Sequence, residues 1–186
     1  MSPITSKILK LGDPGLRVSA KPVRNFQAPS FLEQADTLDR ALVAFREEFG
    51  FGRAISAPQL GIPYRFIAMN LGRGAFLVVN PEIVWTSEET VSLWDDCMSF
   101  PWLMVRLRRH ASISVRYQDE NGAFHEMCEL DTATSELFQH EIDHLDGILA
   151  VDRALDRNAL VSRELFLAQP ETFFKTVDWV PNPKKP

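Results

Sequence analysis

The sequence predicts an α+β fold, in which antiparallel or mixed β-sheets pack around one helix, with a further N-terminal and a C-terminal helix. Three observations support this fold class. A helical apolar pattern comes early, short apolar stretches broken by Asn, Pro and Gly fill the middle, and helical patterns return after residue 131. We find neither an internal repeat nor a linker, so residues 1–186 are expected to form one domain.

The first element is predicted to be an amphipathic helix. Ser30-Phe31-Leu32-Glu33 has the S-x-x-E spacing of a capping box, which is typical of a helix N-terminus. Apolar residues then recur at helical spacing up to Gly50, a residue that commonly ends helices: Leu38, Leu42, Phe45 and Phe49.

The middle of the chain is predicted to form strands. Apolar stretches occur at residues 66–69 and 76–79, and apolar residues alternate along 111–117. Asp119-Glu120-Asn121-Gly122 is typical of a hairpin turn and leads to a further strand near Phe124 to Leu130.

Helices are expected again in the last third of the chain. Asp131 or Thr132 can cap a helix that continues to Gly147. Another helix is expected within Asp156 to Leu167. The prolines that follow predict an irregular end: Pro170 and the segment Pro181 to Pro186.

Composition excludes several classes of function. The formal net charge is -5, so no basic face is available to neutralise phosphates, and nucleic acid is not an expected ligand. No apolar run approaches the roughly 18 residues of a membrane helix, and the N-terminus lacks a signal-peptide pattern. We therefore expect a cytoplasmic protein without membrane contact. Its two cysteines are too few for a disulfide scaffold.

The strongest chemical signal is His140-Glu141-Ile142-Asp143-His144, an H-E-x-x-H pattern inside the predicted helix 131–147. Residues i and i+4 of a helix share a face, with Cβ atoms about 5–6 Å apart, so both imidazoles can reach one ion. Glu141 then lies beside a water bound to that ion. We interpret the central helix as a metal-binding helix, rather than an ordinary helix that carries two partly exposed histidines.

A catalytic site needs a third protein ligand and an open fourth position. The candidates are Cys97, Cys128, His110, His125 and a carboxylate. Cys97 lies between predicted strands, from which a thiolate can project toward the helix. Cys128 lies within a predicted strand and is expected to be small buried filler, because free cysteines are often buried. His110 follows three arginines and is expected at the surface.

Three motifs, in order along the chain, resemble those of the peptide deformylase family. Residues 139–147 match its pattern Q-H-E-x-D-H-L-x-G in full, and Cys97-Met98-Ser99 matches the C-φ-S part of E-G-C-φ-S. Residues 56–61, Ser-Ala-Pro-Gln-Leu-Gly, resemble the end of the motif G-φ-G-φ-A-A-x-Q, with Ser for the first Ala. The similarity extends roughly from Ile8 to Asp152.

The resemblance implies removal of the N-formyl group from the starting methionine of new polypeptides, with release of formate. A formylated nascent peptide is then the partner, while the mild positive excess from Arg153 onward does not predict ribosome docking. One divalent ion per chain is implied, Fe²⁺ physiologically, with Zn²⁺, Ni²⁺ or Co²⁺ also able to occupy the site. The resemblance assigns the ligands to Cys97, His140 and His144. It makes Glu141 the catalytic acid and base, and the Gln59 amide and the Met98 backbone N–H the oxyanion donors.

Several positions depart from the family pattern. Arg53 replaces an apolar residue, Ala54 replaces a glycine, and Asp95-Asp96 replaces Glu-Gly, although Asp95 can instead pair with Arg106, Arg108 or Arg109. Glu136 lies one helical turn before His140. In the family arrangement the pocket for the first side chain of the substrate would be lined by Arg53, Ala54, Ile55, Asp96 and Glu136. Because desolvating charges to receive a thioether is unfavourable, methionine is expected to be a poor first residue.

Other functions compete with this interpretation. The same metal chemistry can serve another formylated or small-acyl amine, and a silent relative can bind a metal or a peptide without turnover. A zincin-type endoprotease is less favoured, because the best third ligand is an upstream cysteine. Formate release from formyl-Met peptides distinguishes the first function from the others.

Overall fold

Two antiparallel β-sheets form the framework of the protein, in a computed structural model that describes residues 4–72 and 74–181. The strands are β1 (Ala54–Ser56), β2 (Phe66–Asn70), β3 (Ala75–Thr86), β4 (Thr90–Asp96), β5 (Leu103–His110), β6 (Ile113–Gln118), β7 (Phe124–Met127) and β8 (Leu160–Ser162). One sheet has the order β1-β2-β3-β6-β7 and the other β4-β5-β8, and all neighbouring strands pair antiparallel. The predicted α+β class is confirmed.

The helices in these parts of the chain are α1 (Pro29–Phe49), α2 (Thr132–Leu145), α3 (Arg163–Ala168) and α4 (Pro170–Phe174). The predicted cap of α1 was wrong, because the helix begins at Pro29 and its N-cap residue is Ala28, without a side-chain hydrogen bond. Proline suits the first helical position, since its φ is preset and its missing N–H has no helical partner there. None of these helices combines the length and apolar character that crossing a membrane requires.

Helices α1 and α2 cover opposite faces of the five-stranded sheet. Along β2, Phe66 and Ala68 belong to the apolar cluster of α1, whereas Ile67 and Met69 belong to the cluster of α2. Successive side chains of a strand point to opposite faces, and β2 is covered on both faces, so it is apolar at each of these positions. The arrangement places α2 in the interior.

Helix α2 is enclosed on two sides. Its apolar residues pack on the five-stranded sheet, while its polar face meets β4 and β5 of the second sheet. Every residue from Ser135 to Leu145 is therefore buried. After its end, Gly147 has a φ of +76°, and a Cβ there would lie 2.6 Å from the Arg17 carbonyl oxygen. Only glycine fits this close backbone approach.

The end of the chain agrees with the prediction in part. The helix expected within Asp156 to Leu167 is α3, which begins only at Arg163 because 160–162 pair with 103–105 as β8. Pro170 starts α4 rather than an irregular segment. Of the predicted irregular tail, residues 182–186 lie outside the described residues. The strand expected up to Leu130 ends at Met127.

Candidate metal centre

The two histidines of the H-E-x-x-H pattern lie side by side on α2. Their ring centroids are 4.9 Å apart, and both side chains are buried because α2 is enclosed by the two sheets. The i, i+4 spacing brings the rings to the same face of the helix, as the sequence predicts.

Cys97 completes this cluster from the turn after β4. Its Sγ lies 3.2 Å from His144 Nε2, and the ligand atoms of Cys97, His140 and His144 all lie within 4.8 Å of one another. Ser99 donates its backbone N–H to the sulfur at 3.4 Å. A thiolate and two imidazoles form a donor set that suits borderline divalent metals such as Fe²⁺ and Zn²⁺.

The other candidate ligands are placed elsewhere. Cys128 is exposed, which corrects the expectation of buried filler: it follows β7, the edge strand, whose side chains remain largely accessible. His110 is partly buried, with its Nδ1 2.8 Å from the Ser87 carbonyl oxygen. His125 Nε2 is 2.9 Å from Asp119 Oδ2 at the surface.

The surroundings of the two imidazoles fit a bound cation. His140 Nδ1 is 2.9 Å from Asp95 Oδ2, which leaves Nε2 for an ion, as in carboxylate–histidine–metal arrangements. Burial lowers the pKa of His140, but Asp95 and Cys97 outweigh burial, so the pKa lies well above its ordinary value. A cation bound at this imidazole would take the place of its proton. Burial and the charge of His140 hold the pKa of His144 well below its ordinary value, which favours the neutral, ligating form.

A buried ion network holds this arrangement. Arg109 donates to Asp95 at 3.1 Å and also pairs with Asp143 of α2, whose carboxylate is bound in addition by Arg153. Burial raises the pKa of Asp95, but His140 and Arg109 outweigh it and lower the value to about 2. Sequence reasoning offered Arg109 as one of three partners for Asp95. The strand period selects it, because Val105, Leu107 and Arg109 share the buried face of β5.

We expect Arg109→Met to destabilise the fold by about 3 kcal/mol or more, because it leaves two buried carboxylates without a shared partner. Urea denaturation of purified protein measures this free energy of unfolding. Arg108→Met is the matched control on the same strand. Arg108 pairs with Asp178 at 3.3 Å, and both side chains are about half exposed, so its loss should cost less than about 1 kcal/mol. Equal effects of the two changes would contradict a stabilising role for the network.

Glu141 lies next to the candidate ligands and is held by Ser56. The Ser56 hydroxyl is 2.5 Å from Glu141 Oε2 and 2.9 Å from the Glu141 carbonyl oxygen. Burial raises the pKa of Glu141 despite the opposing influence of His140 and Ser56, which suits a group that exchanges protons near neutral pH. Ser56 was noted in the sequence only as a departure from the family motif. Its contact with Glu141 could not be inferred, because the two residues are far apart in the chain.

The two expected oxyanion donors flank Cys97. Gln59 is fully buried, and its Nε2 lies 3.1 Å from Ser99 Oγ and 3.7 Å from Cys97 Sγ. Its Oε1 accepts the Ser56 backbone N–H at 2.9 Å, which fixes the amide with its NH₂ toward the thiol. Met98 follows Cys97 directly and borders the cavity beside it.

A cavity of about 910 Å³ opens beside the ligands. Four of the five expected substrate-binding residues line it: Arg53, Ala54, Asp96 and Glu136. Ile55 does not line the cavity, because its side chain is fully buried in the core between α1 and the sheet. Ala54 lies in the extended strand β1, so its replacement of glycine causes no backbone strain.

The C-terminal part of the chain forms one wall of this cavity, which sequence reasoning did not predict. We call residues 163–181 the C-terminal wall. Arg163 donates to Asp96 at 2.8 Å, and its guanidinium lies 3.6 Å from the centre of the Phe51 ring. Phe166 and Phe173 pack around Trp94. Asp96 is therefore a paired anion rather than a free charge beside the thiol.

Comparison with known proteins gives a consistent result. A family model described as Polypeptide deformylase matches residues 5–159. A Thermotoga neapolitana protein named Peptide deformylase is 39% identical over 158 residues, which cover 85% of this chain and 92% of the relative. A Brucella melitensis protein named Peptide deformylase-like is 38% identical over 160 residues, which cover 84% and 93%. The crystal structure of peptide deformylase from Thermotoga maritima matches with a TM-score of 0.73 at 36% identity, covering 80% of this chain and 97% of that one.

Proposed function

The chain belongs to the polypeptide deformylase family, and on that premise we propose that it hydrolyses the N-formyl amide of formyl-methionyl nascent peptides and releases formate. The observation that carries the proposal is the buried group of Cys97, His140 and His144 directly beside Glu141. The cytoplasm, where new polypeptides are made, is the proposed compartment.

Membership of this family implies a divalent metal. We assign its ligands to Cys97, His140 and His144, and Fe²⁺ is the ion we favour among those that this donor set accepts. When bound, such a cation acidifies a water molecule and polarises the formyl carbonyl. Asp95 orients His140, and Arg109 orients Asp95.

The protein residues then have separate tasks. Glu141 accepts a proton from the attacking water as the water oxygen bonds to the formyl carbon. The Gln59 amide and the Met98 backbone N–H stabilise the negative charge that develops on the formyl oxygen, each by about 3 to 4 kcal/mol. When the carbon–nitrogen bond breaks, Glu141 delivers its proton to the departing amine, so the products are formate and a free amino terminus. Ser56 keeps the Glu141 carboxylate in place through both transfers.

Formate release tests the proposal. Purified protein loaded with one metal equivalent should release formate from a formyl-Met tripeptide, whereas the matching acetyl-Met and unmodified peptides should remain intact. The acetyl control separates a deformylase from a broader amidase, and cleavage of the unmodified peptide would indicate an endoprotease. Tight metal binding with no release from any formyl peptide would support a catalytically silent relative and contradict the proposal.

We also expect activity to be lost in air if iron is the ion. A ferrous thiolate site with an open position exposes both the metal and Cys97 to oxidation. Protein loaded with Ni²⁺ or Zn²⁺ should keep its activity for much longer. Activity is followed during incubation in air, with an anaerobic sample as the control. Equal half-lives for iron-loaded and nickel-loaded protein would show that iron is not the labile centre.

A further inference from the structure

An ion pair forms part of the cavity wall next to the candidate metal centre. Arg53 Nη2 pairs with Glu136 Oε1, and Arg53 Nη1 donates to the Ala133 carbonyl oxygen at 2.9 Å. The Glu136 side chain is only 6% exposed, whereas that of Arg53 is 32% exposed. The carboxylate therefore lies deep in the cavity, and the guanidinium lies nearer its mouth.

The pair retains unused hydrogen-bonding capacity. A guanidinium has five N–H donors, and the contacts above use only one N–H on each terminal nitrogen of Arg53. Glu136 Oε1 is bonded to Arg53, whereas Oε2 accepts no hydrogen bond from the described residues. A ligand in the cavity is thus offered an acceptor at depth and donors closer to the mouth.

The Arg53–Glu136 pair lies close enough to the candidate metal centre to contact the first side chain of a bound peptide. Glu136 is one helical turn before His140, so their Cβ atoms are about 5–6 Å apart. Only a few covalent bonds separate the formyl carbon from the first side chain of a peptide. The remaining surface near the pair is partly apolar, with Trp94, Met104 and Leu137 among the lining residues. A side chain with an apolar body and a polar end matches both parts of this surface.

Resting on the deformylase chemistry proposed above, we infer that the cavity accepts methionine but prefers a first side chain of similar length that ends in an uncharged polar group, such as the amide of glutamine, so that formyl-Met peptides are slow substrates. The amide NH₂ donates to Glu136 Oε2, and the amide oxygen accepts from Arg53. A thioether or alkyl chain of the same length would cover these groups without replacing their hydrogen bonds to water, which is unfavourable.

A side-chain series on one tripeptide tests the inference. The first residue of the N-formyl tripeptide is glutamine, norleucine, methionine or lysine. The rate of formate release by the metal-loaded protein is measured for each peptide. We expect kcat/KM for glutamine to exceed that for norleucine by about tenfold, the size of effect that one unsatisfied buried polar group produces. The double change Arg53→Leu, Glu136→Ile should reverse this order. A preference for lysine over glutamine would overturn the uncharged class and indicate a cation site for Glu136.

A matched control separates the pocket from general effects of charge removal. Arg116 and Glu126 face each other across β6 and β7 as an exposed pair, at 3.5 Å. Arg116→Leu, Glu126→Ile makes the same exchanges outside the cavity lining and should leave the order unchanged. The order of kcat/KM among the four peptides is measured on the wild-type protein. The inference is therefore tested even if the double change in the pocket prevents folding.

Binding without turnover distinguishes failure of this inference from failure of the proposed function. Peptides that carry a metal-chelating hydroxamate in place of the formyl amide are titrated by calorimetry, again with glutamine and norleucine. Tighter binding of the glutamine hydroxamate, together with no formate release from any of the formyl peptides, would support the pocket and reject the deformylase function. Equal binding, or tighter binding of norleucine, would overturn the pocket inference whatever the turnover.

Discussion

Replacement of Glu141 by alanine should lower kcat for a formyl-Met peptide by about 10²- to 10⁴-fold while the protein keeps one metal equivalent. The range is that of general acid–base catalysis, because the change removes the proton carrier and leaves the three expected ligands in place. Steady-state formate release gives kcat, and elemental analysis of the same sample gives the metal content.

Two further variants make this result specific. Glu141→Gln keeps an acceptor for the Ser56 hydroxyl but cannot carry the proton, so it should be as inactive as the alanine variant. Glu126→Ala removes an exposed glutamate of β7 and should be fully active. Near-wild-type turnover by metal-loaded Glu141→Ala would refute the role assigned to Glu141.

Replacement of Cys97 by alanine should instead abolish stable metal binding. Mutation of a group that only orients a metal ligand typically lowers metal affinity by about 10- to 100-fold. Loss of the thiolate ligand itself should lower the affinity by more than that. Competition with a chelator of known affinity measures the change, and thermal unfolding reports whether the variant still folds. Alanine is close in size to cysteine, so the packing around residue 97 should change little.

Cys128→Ala provides the matched control, because the second cysteine is exposed and lies outside the ligand cluster. It should bind one equivalent with unchanged affinity. A full equivalent of metal in Cys97→Ala, retained against the chelator, would move the third ligand to another residue and reject the proposed site.

The sequence predicted the central part of the site because local spacing determines it. A helix with i, i+4 histidines must present both on one face, so His140 and His144 could be paired without a structure. The resemblance then selected Cys97 from five candidates. The strands were also predictable where apolar residues alternate, as along β6.

Other features depend on contacts between distant segments, which no local pattern records. The hydroxyl of Ser56 reaches Glu141 only because β1 packs beside α2. Ile55 directly precedes Ser56, but its side chain faces the opposite side of β1 and enters the core. The C-terminal wall pairs Arg163 with Asp96, and its segment begins beyond the region that the family model matches.

During translation, the C-terminal wall is synthesised after the residues that are expected to bind the metal. The residues expected to hold the ion lie between positions 97 and 144, whereas the wall begins at Arg163. At an elongation rate of about 5–20 residues per second, the wall leaves the ribosome on the order of seconds after the ligands. An ion arriving in that interval would meet a broader entrance than an ion leaving the finished protein. Metal uptake during synthesis is therefore expected to be faster than metal release from the finished protein. The metal content of the protein would then reflect which ions are available while the chain is being synthesised.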